Sequence, residues 1–165
     1  MLPSDHFVRM YNELFKMLME QGEGRLEAYW LEISGLQETI LGPFIDRAGL
    51  EGMREYWDRI RIEENCDADL SITDDYFEFR MNACPSLGKV LDSDATACPL
   101  YCDHCAGWIA PIMERRGYFL VYDMVSRTEP RCVMRVYRSR GPAEDFARRA
   151  GLLAGPSRYL AEPRS

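Results

Sequence analysis

From Phe7 to about Glu63 the apolar residues return every three or four positions, and from Leu70 onward they alternate. A helix repeats every 3.6 residues and a strand every two, so this change of period divides the chain into a helical part and a strand-forming part. Ser4 is placed to cap a first helix with apolar positions Phe7, Met10, Tyr11, Leu14, Met17 and Leu18, ended by Gly22-Glu23-Gly24. A second helix is expected from about Arg25 to Leu41, carrying Leu26, Tyr29, Trp30, Ile33, Leu36 and Ile40 on one side and stopped by Gly42-Pro43. A third, about Leu50 to Glu63, turns Met53, Trp57 and Ile60 inward. All three stripes are read as core.

Leu70 and Ile72 then alternate with Asp69, Ser71 and Thr73, and Asp74-Asp75 makes a turn. Phe77, Phe79 and Met81 alternate with Tyr76, Glu78 and Arg80, which predicts a hairpin with one buried face. Its second strand runs into Cys84-Pro85. A helical turn over Ser86–Leu91 and a polar loop at Asp92-Ser93-Asp94 follow. The next helix contains Trp108, Ile109, Ile112 and Met113, stops at Gly117, and is expected to kink or restart at Pro111. Strands over Tyr118–Val125 and Cys132–Tyr137, a helix over Ala143–Leu153 and a loosely held tail complete the chain. The expected class is α+β: a helical N-terminal third, then a four-stranded antiparallel sheet covered by a helix. One domain is expected over 1–165, made of a helical segment (1–65), a sheet-plus-helix segment (66–140), and a C-terminal helix and tail (141–165).

The formal net charge of −7 argues against nucleic acid or an anionic membrane as partner, since both need a basic footprint. No apolar run approaches the roughly 18 residues of a spanning helix. Met1–His6 lacks the basic and apolar regions of a signal peptide, so the expected location is cytoplasmic. There the six cysteines are expected as thiols rather than disulfides.

Three of those cysteines and one of the two histidines fall in Cys98-Pro99-Leu100-Tyr101-Cys102-Asp103-His104-Cys105. One reading is a metal site, zinc or an iron–sulfur cluster, held by Cys84, Cys98, Cys102 and Cys105. If a helix began at Pro99, Cys98 and Cys105 would lie roughly 10 Å apart along its axis. Sulfurs sharing one zinc stand only about 4 Å apart, so this reading needs the stretch to be a loop. A second reading makes Cys102, near a helix N-terminus, a nucleophile with His104 and Asp103 as acid–base or orienting groups. A third packs the cysteines as small apolar groups in the core of a ligand-sensing or interaction domain. Cys132, alternating with Met134 and Val136, is read as core. Asp123 and Arg135 are candidate substrate-binding residues, Arg135 through its bidentate fork.

The strand ending in Cys84-Pro85, the helix with Cys102-Asp103, the Gly117 stop and the strand carrying Cys132 together resemble the L-2-amino-thiazoline-4-carboxylic acid hydrolase-like family. The helix–strand–strand arrangement is also similar to the vinyl-reductase-type small-molecule binding domain. The resemblance covers about Tyr76 to Tyr137 and implies a cytoplasmic hydrolase opening a small sulfur-containing ring, with a cysteine at the site. A small-molecule partner, and a homodimer formed through the N-terminal helices, complete the expectation.

Overall fold

The computed structural model describes residues 3–22, 24–92, 96–126, 128–151 and 158–161. In chain order they form α1 (Pro3–Glu20), α2 (Arg25–Glu63), β1 (Asp67–Ile72), β2 (Tyr76–Ala83), α3 (Pro85–Leu91), α4 (Asp103–Arg115), β3 (Phe119–Ser126), β4 (Arg131–Tyr137), α5 (Arg140–Arg149) and β5 (Arg158–Ala161). The α+β class is as expected. The four strands read from the sequence pair antiparallel, and β5 extends the sheet beyond them in the order β1-β2-β4-β3-β5. The remainder of the tail and Ser93-Asp94 lie outside the described residues. No helix among the described residues is long and apolar enough to cross a membrane.

The second and third expected helices are one element, α2, and its break falls at Gly49 rather than at Gly42-Pro43. Pro43 leaves one carbonyl without its intrahelical donor but does not end the helix. Gly42 instead makes room for Arg116 at the end of α4: a Cβ there would meet the guanidinium. From that seat Arg116 pairs with Glu38 and, at 2.8 Å, with Asp46, clamping α2 to α4. The bend needs glycine because Gly49 adopts φ 58, ψ −127, a conformation closed to residues with a Cβ. Past the bend Gly52 lies against the Phe44 carbonyl, so the two limbs of α2 meet backbone to backbone. α2 ends in a left-handed Asn65, with Asn65 N–H on the Ile62 carbonyl and Cys66 N–H on that of Arg61. α4 passes through Pro111 without interruption and ends the same way at Gly117.

Strand alternation sends Phe77 and Phe79 of β2, Leu120 and Tyr122 of β3, and Met134 and Val136 of β4 to one sheet face. There they form the main core with Leu50, Met53 and Trp57 of α2 and Ile109, Ile112 and Met113 of α4. On the other face α5 brings Ala143 and Ala147 against Val121 and Tyr137. That side holds the Glu78–Arg135 ion pair, with the Arg135 guanidinium 3.8 Å from the Phe146 ring centroid.

α1 belongs to a second core. Val8 and Phe15 pack with Leu26, Trp30, Leu87, Val90, Cys98 and Tyr101. The buried face of α1 is therefore rotated from the expected stripe: Phe7, Met10 and Met17 are exposed, while the polar Asn12 is 1% exposed. Ser4 lies inside the first turn of α1 rather than before it.

The close approach at Gly52 predicts that Gly52→Ala will destabilise the protein by at least about 3 kcal/mol through overpacking against backbone. Gly35→Ala, where an added Cβ meets nothing within 4 Å, should stabilise it by about 0.5–1 kcal/mol through helix propensity. Urea denaturation of the two variants checks both signs.

Candidate functional site

Residues 96–102 are seated on α1 by one side chain. Asn12 donates to the Thr96 carbonyl at 3.0 Å and accepts the Cys98 N–H at 2.8 Å. The chain then turns, with Tyr101 N–H on the Cys98 carbonyl and Asp103 N–H on that of Leu100. α4 begins only at Asp103, with Cys102 as its N-cap. Cys98, Cys102 and Cys105 thus do not share one regular helix. Cys98 stays in the α1 core, 3% exposed, its sulfur 3.4 Å from that of Met19. Cys102 and Cys105 turn toward the sheet and pack against the main core.

Two further sulfurs meet them there. Cys84, at the end of β2, caps α3 and accepts the Leu87 N–H at 3.4 Å. Cys132, at the start of β4, points to the main-core face beside Tyr122, whose hydroxyl oxygen lies 3.4 Å from its sulfur. The four thiols, His104, Tyr101 and Tyr122 line a cavity of about 30 Å³, bordered by Leu87 and Arg131. The expected set of Cys84, Cys98, Cys102 and Cys105 is corrected to this extent: Cys98 is absent from the cavity and Cys132 replaces it. Core alternation concealed Cys132, yet β register held the signal. β2 and β4 pair with Met81 opposite Cys132, which brings the start of β4 near the β2 end carrying Cys84.

Burial dominates the electrostatics. It raises the thiol pKa values of Cys84 and Cys105 to about 11, each opposed only in part by hydrogen bonds, and lifts Cys132 further. Such thiols stay protonated and unreactive near neutral pH. Arg131, the cation at the rim, is exposed and paired with Glu129. His104 is 8% exposed, enclosed by the rings of Phe15, Tyr101 and Trp108. Its desolvation lowers the pKa to about 4, so the imidazole is neutral. His104 Nδ1 meets the Tyr101 carbonyl, which can only accept, so the proton resides on Nδ1. Nε2 then directs its lone pair at Cys105 Sγ, 3.4 Å away.

The expected pairing of His104 with Cys102 is therefore replaced by a contact with Cys105. Asp103 does not line the cavity. Asp123 and Arg135 belong to the opposite sheet face, because each lies an odd number of residues from Tyr122 or Cys132 on its own strand. Arg135 is engaged there by Glu78, Tyr137 and Phe146. Neither residue can serve a substrate in the thiol cavity. Cys66 is buried beyond the end of α2, and His6 is exposed. No disulfide joins any of the six cysteines. Among the described residues no group of three or more His, Cys, Asp or Glu is placed so that it could hold a metal ion.

His104 makes folding stability depend on pH. Its folded pKa lies below the unfolded value of 6.5, so between pH 6.5 and about 4 the unfolded chain binds the extra proton. Stability is full above pH 6.5 and falls as the pH drops, by about 3 kcal/mol over the window. Urea titrations of chelator-treated protein should show this slope, and His104→Gln should flatten it. Comparison of the chain with known protein families, with curated proteins and with solved structures finds no match.

Proposed function

We propose that this protein is a metal-binding module that holds one soft ion, zinc first among them, through Cys84, Cys102, Cys105 and Cys132. The observation that carries the reading is the convergence of four sulfurs, from the ends of β2 and β4 and from the start of α4, on one cavity. A nucleophilic enzyme needs one such thiol, and four are the donor set of a tetrahedral thiolate site. Size favours the same reading. Small-molecule pockets run to about 300–1,000 Å³, whereas the cavity's 30 Å³ has room for a single ion or a water. That room also favours one ion over an iron–sulfur cluster.

Coordination would draw the sulfurs to about 4 Å from one another by side-chain rotation, which no disulfide prevents. It would also deprotonate them, so affinity rises with pH. His104 Nε2, its partner nitrogen tied to a backbone carbonyl, has the orientation of a ligating imidazole and is the substitute donor.

Elemental analysis of protein purified without chelator should find about one zinc per chain, the stoichiometry of a closed four-thiolate site. Cys84→Ser and Cys132→Ser should lose it, while Cys98→Ser and Cys66→Ser keep it. Retention in Cys132→Ser together with loss in Cys98→Ser would overturn the assignment.

The second reading is the hydrolase-like small-molecule enzyme that the family resemblance implies. It is favoured by the His104 lone pair facing Cys105, which makes Cys105 a better nucleophile candidate than Cys102. Metal-free wild-type protein whose Cys105 alkylates fast at neutral pH, with the rate lost in His104→Gln, would favour the enzyme. Slow alkylation would favour the metal module.

The proposed homodimer has its support in exposed apolar side chains on both N-terminal helices, Phe7, Met10 and Met17 on α1 with Leu36 and Ile40 on α2. Sedimentation should then give a dimer that Met10→Glu with Leu36→Glu converts to a monomer.

A further inference from the structure

We infer that Met19 is a modification site at which a hydroperoxide, by oxidising the thioether to the sulfoxide, loosens residues 96–102 from α1. The step needs neither a bound ion nor an ionised thiol.

Asn12, Phe15 and Met19 stand at i, i+3 and i+7, so they share one face of α1. Each meets the cysteine segment. Asn12 bonds the Thr96 carbonyl and the Cys98 N–H. Phe15 packs on Tyr101, with ring centroids 5.8 Å apart. Met19 takes the Cys98 side chain, whose thiol donates to the thioether with the two sulfurs 3.4 Å apart. The three differ in reach. Asn12 and Phe15 are sealed, as is Cys98, whereas Met19 is 37% exposed at the rim of this grip. A solvent-borne oxidant therefore meets Met19 first. Met10 and Met17 are open to it as well, but they lie on the far side of α1, where an added oxygen faces water.

The chemistry is a two-electron oxygen transfer. The Met19 sulfur lone pair attacks the terminal oxygen of the hydroperoxide; the O–O bond breaks and the S–O bond forms. The proton leaves with the departing oxygen as an alcohol, or as water when the oxidant is hydrogen peroxide. Sulfur gives up two electrons and the peroxide takes them. The product is polar where the thioether was apolar. Its oxygen is a strong acceptor, and the Cys98 thiol beside it donates only weakly. Buried against Cys98, that oxygen stays poorly satisfied; turned to water, it draws the sulfur away. Either way the grip loses its outer contact. Tyr101 and Cys102, at the end of the segment, line the thiol cavity, so the oxidation state of Met19 governs how firmly that wall is held.

Mild hydrogen peroxide, with peptide mass spectrometry to locate the sulfoxides and NMR-detected amide exchange, tests this in wild type, Met19→Leu and Met19→Gln. Oxidation of Met19 should speed exchange of the Cys98 and Tyr101 N–H groups about fivefold, the factor carried by one ordinary buried contact. Methionine sulfoxide reductases should restore the slow rate. Met19→Gln, polar and of similar length, should exchange fast without peroxide. Met19→Leu, which has no sulfur to oxidise, should exchange slowly before and after treatment, although Met10 and Met17 take up oxygen. Unchanged exchange in protein whose Met19 is fully oxidised would overturn the inference. So would peroxide-driven fast exchange in Met19→Leu, or a Met19 that stays reduced while Met10 and Met17 are oxidised.

Discussion

A single buried amide decides where the cysteine segment lies. Asn12 occupies the apolar face of α1 and, besides donating to the Glu13 carboxylate, bonds the Thr96 carbonyl and the Cys98 N–H of the backbone eighty-odd residues downstream. Leaving that amide unpaired would cost about 1–3 kcal/mol, so the loop is held to α1 wherever α1 packs. With Cys98 fixed there, the two turns that follow bring the start of α4 to Asp103. That start directs Cys102 and Cys105 to the sheet while Cys98 stays behind in the smaller core. The cavity sits where the two cores join: Cys84 packs with the α1 side, Cys105 and Cys132 with the sheet, and Cys102 with both.

The sheet separates two electrostatic environments by the thickness of one backbone layer. On the α5 face, Arg135 is balanced by Glu78 and stacked on Phe146. On the α4 face, thiols and a neutral imidazole surround a cavity whose one bordering cation is already paired at the rim. Desolvation therefore outweighs the hydrogen bonds to Cys84, Cys105 and Cys132 and raises their pKa values. The same desolvation that silences the free thiols would strengthen their attraction for a divalent ion, because the low-dielectric surroundings magnify Coulomb energy.

Where the sequence pattern was local it could be read. The period-two runs of β1 and β2 placed Leu70 opposite Phe79 and Ile72 opposite Phe77 as the alternation requires. The stop at Gly117 was equally legible. Gly42-Pro43 misled because its glycine accommodates Arg116, a residue 74 positions away that no local rule can see. The apolar pattern of α1 points to a stripe through Phe7, Met10 and Met17, whereas the buried side runs through Asn12. At the site, proximity along the chain favoured Cys98 over Cys132. The cavity is assembled by strand register instead, and only pairing β2 with β4 would have revealed the exchange.

Strand alternation gives β4 two unrelated duties on adjacent residues, and this limits how the segment can change. Inserting one residue between Cys132 and Arg135 would invert everything on one side of the insertion relative to the other. Either a sulfur would leave the cavity for the α5 side or the guanidinium would enter the apolar wall behind it. Substitution can tune β4, but a change in its length cannot be absorbed without dismantling one of the two faces, so length variation among descendants of this chain belongs in the turn at 128–130.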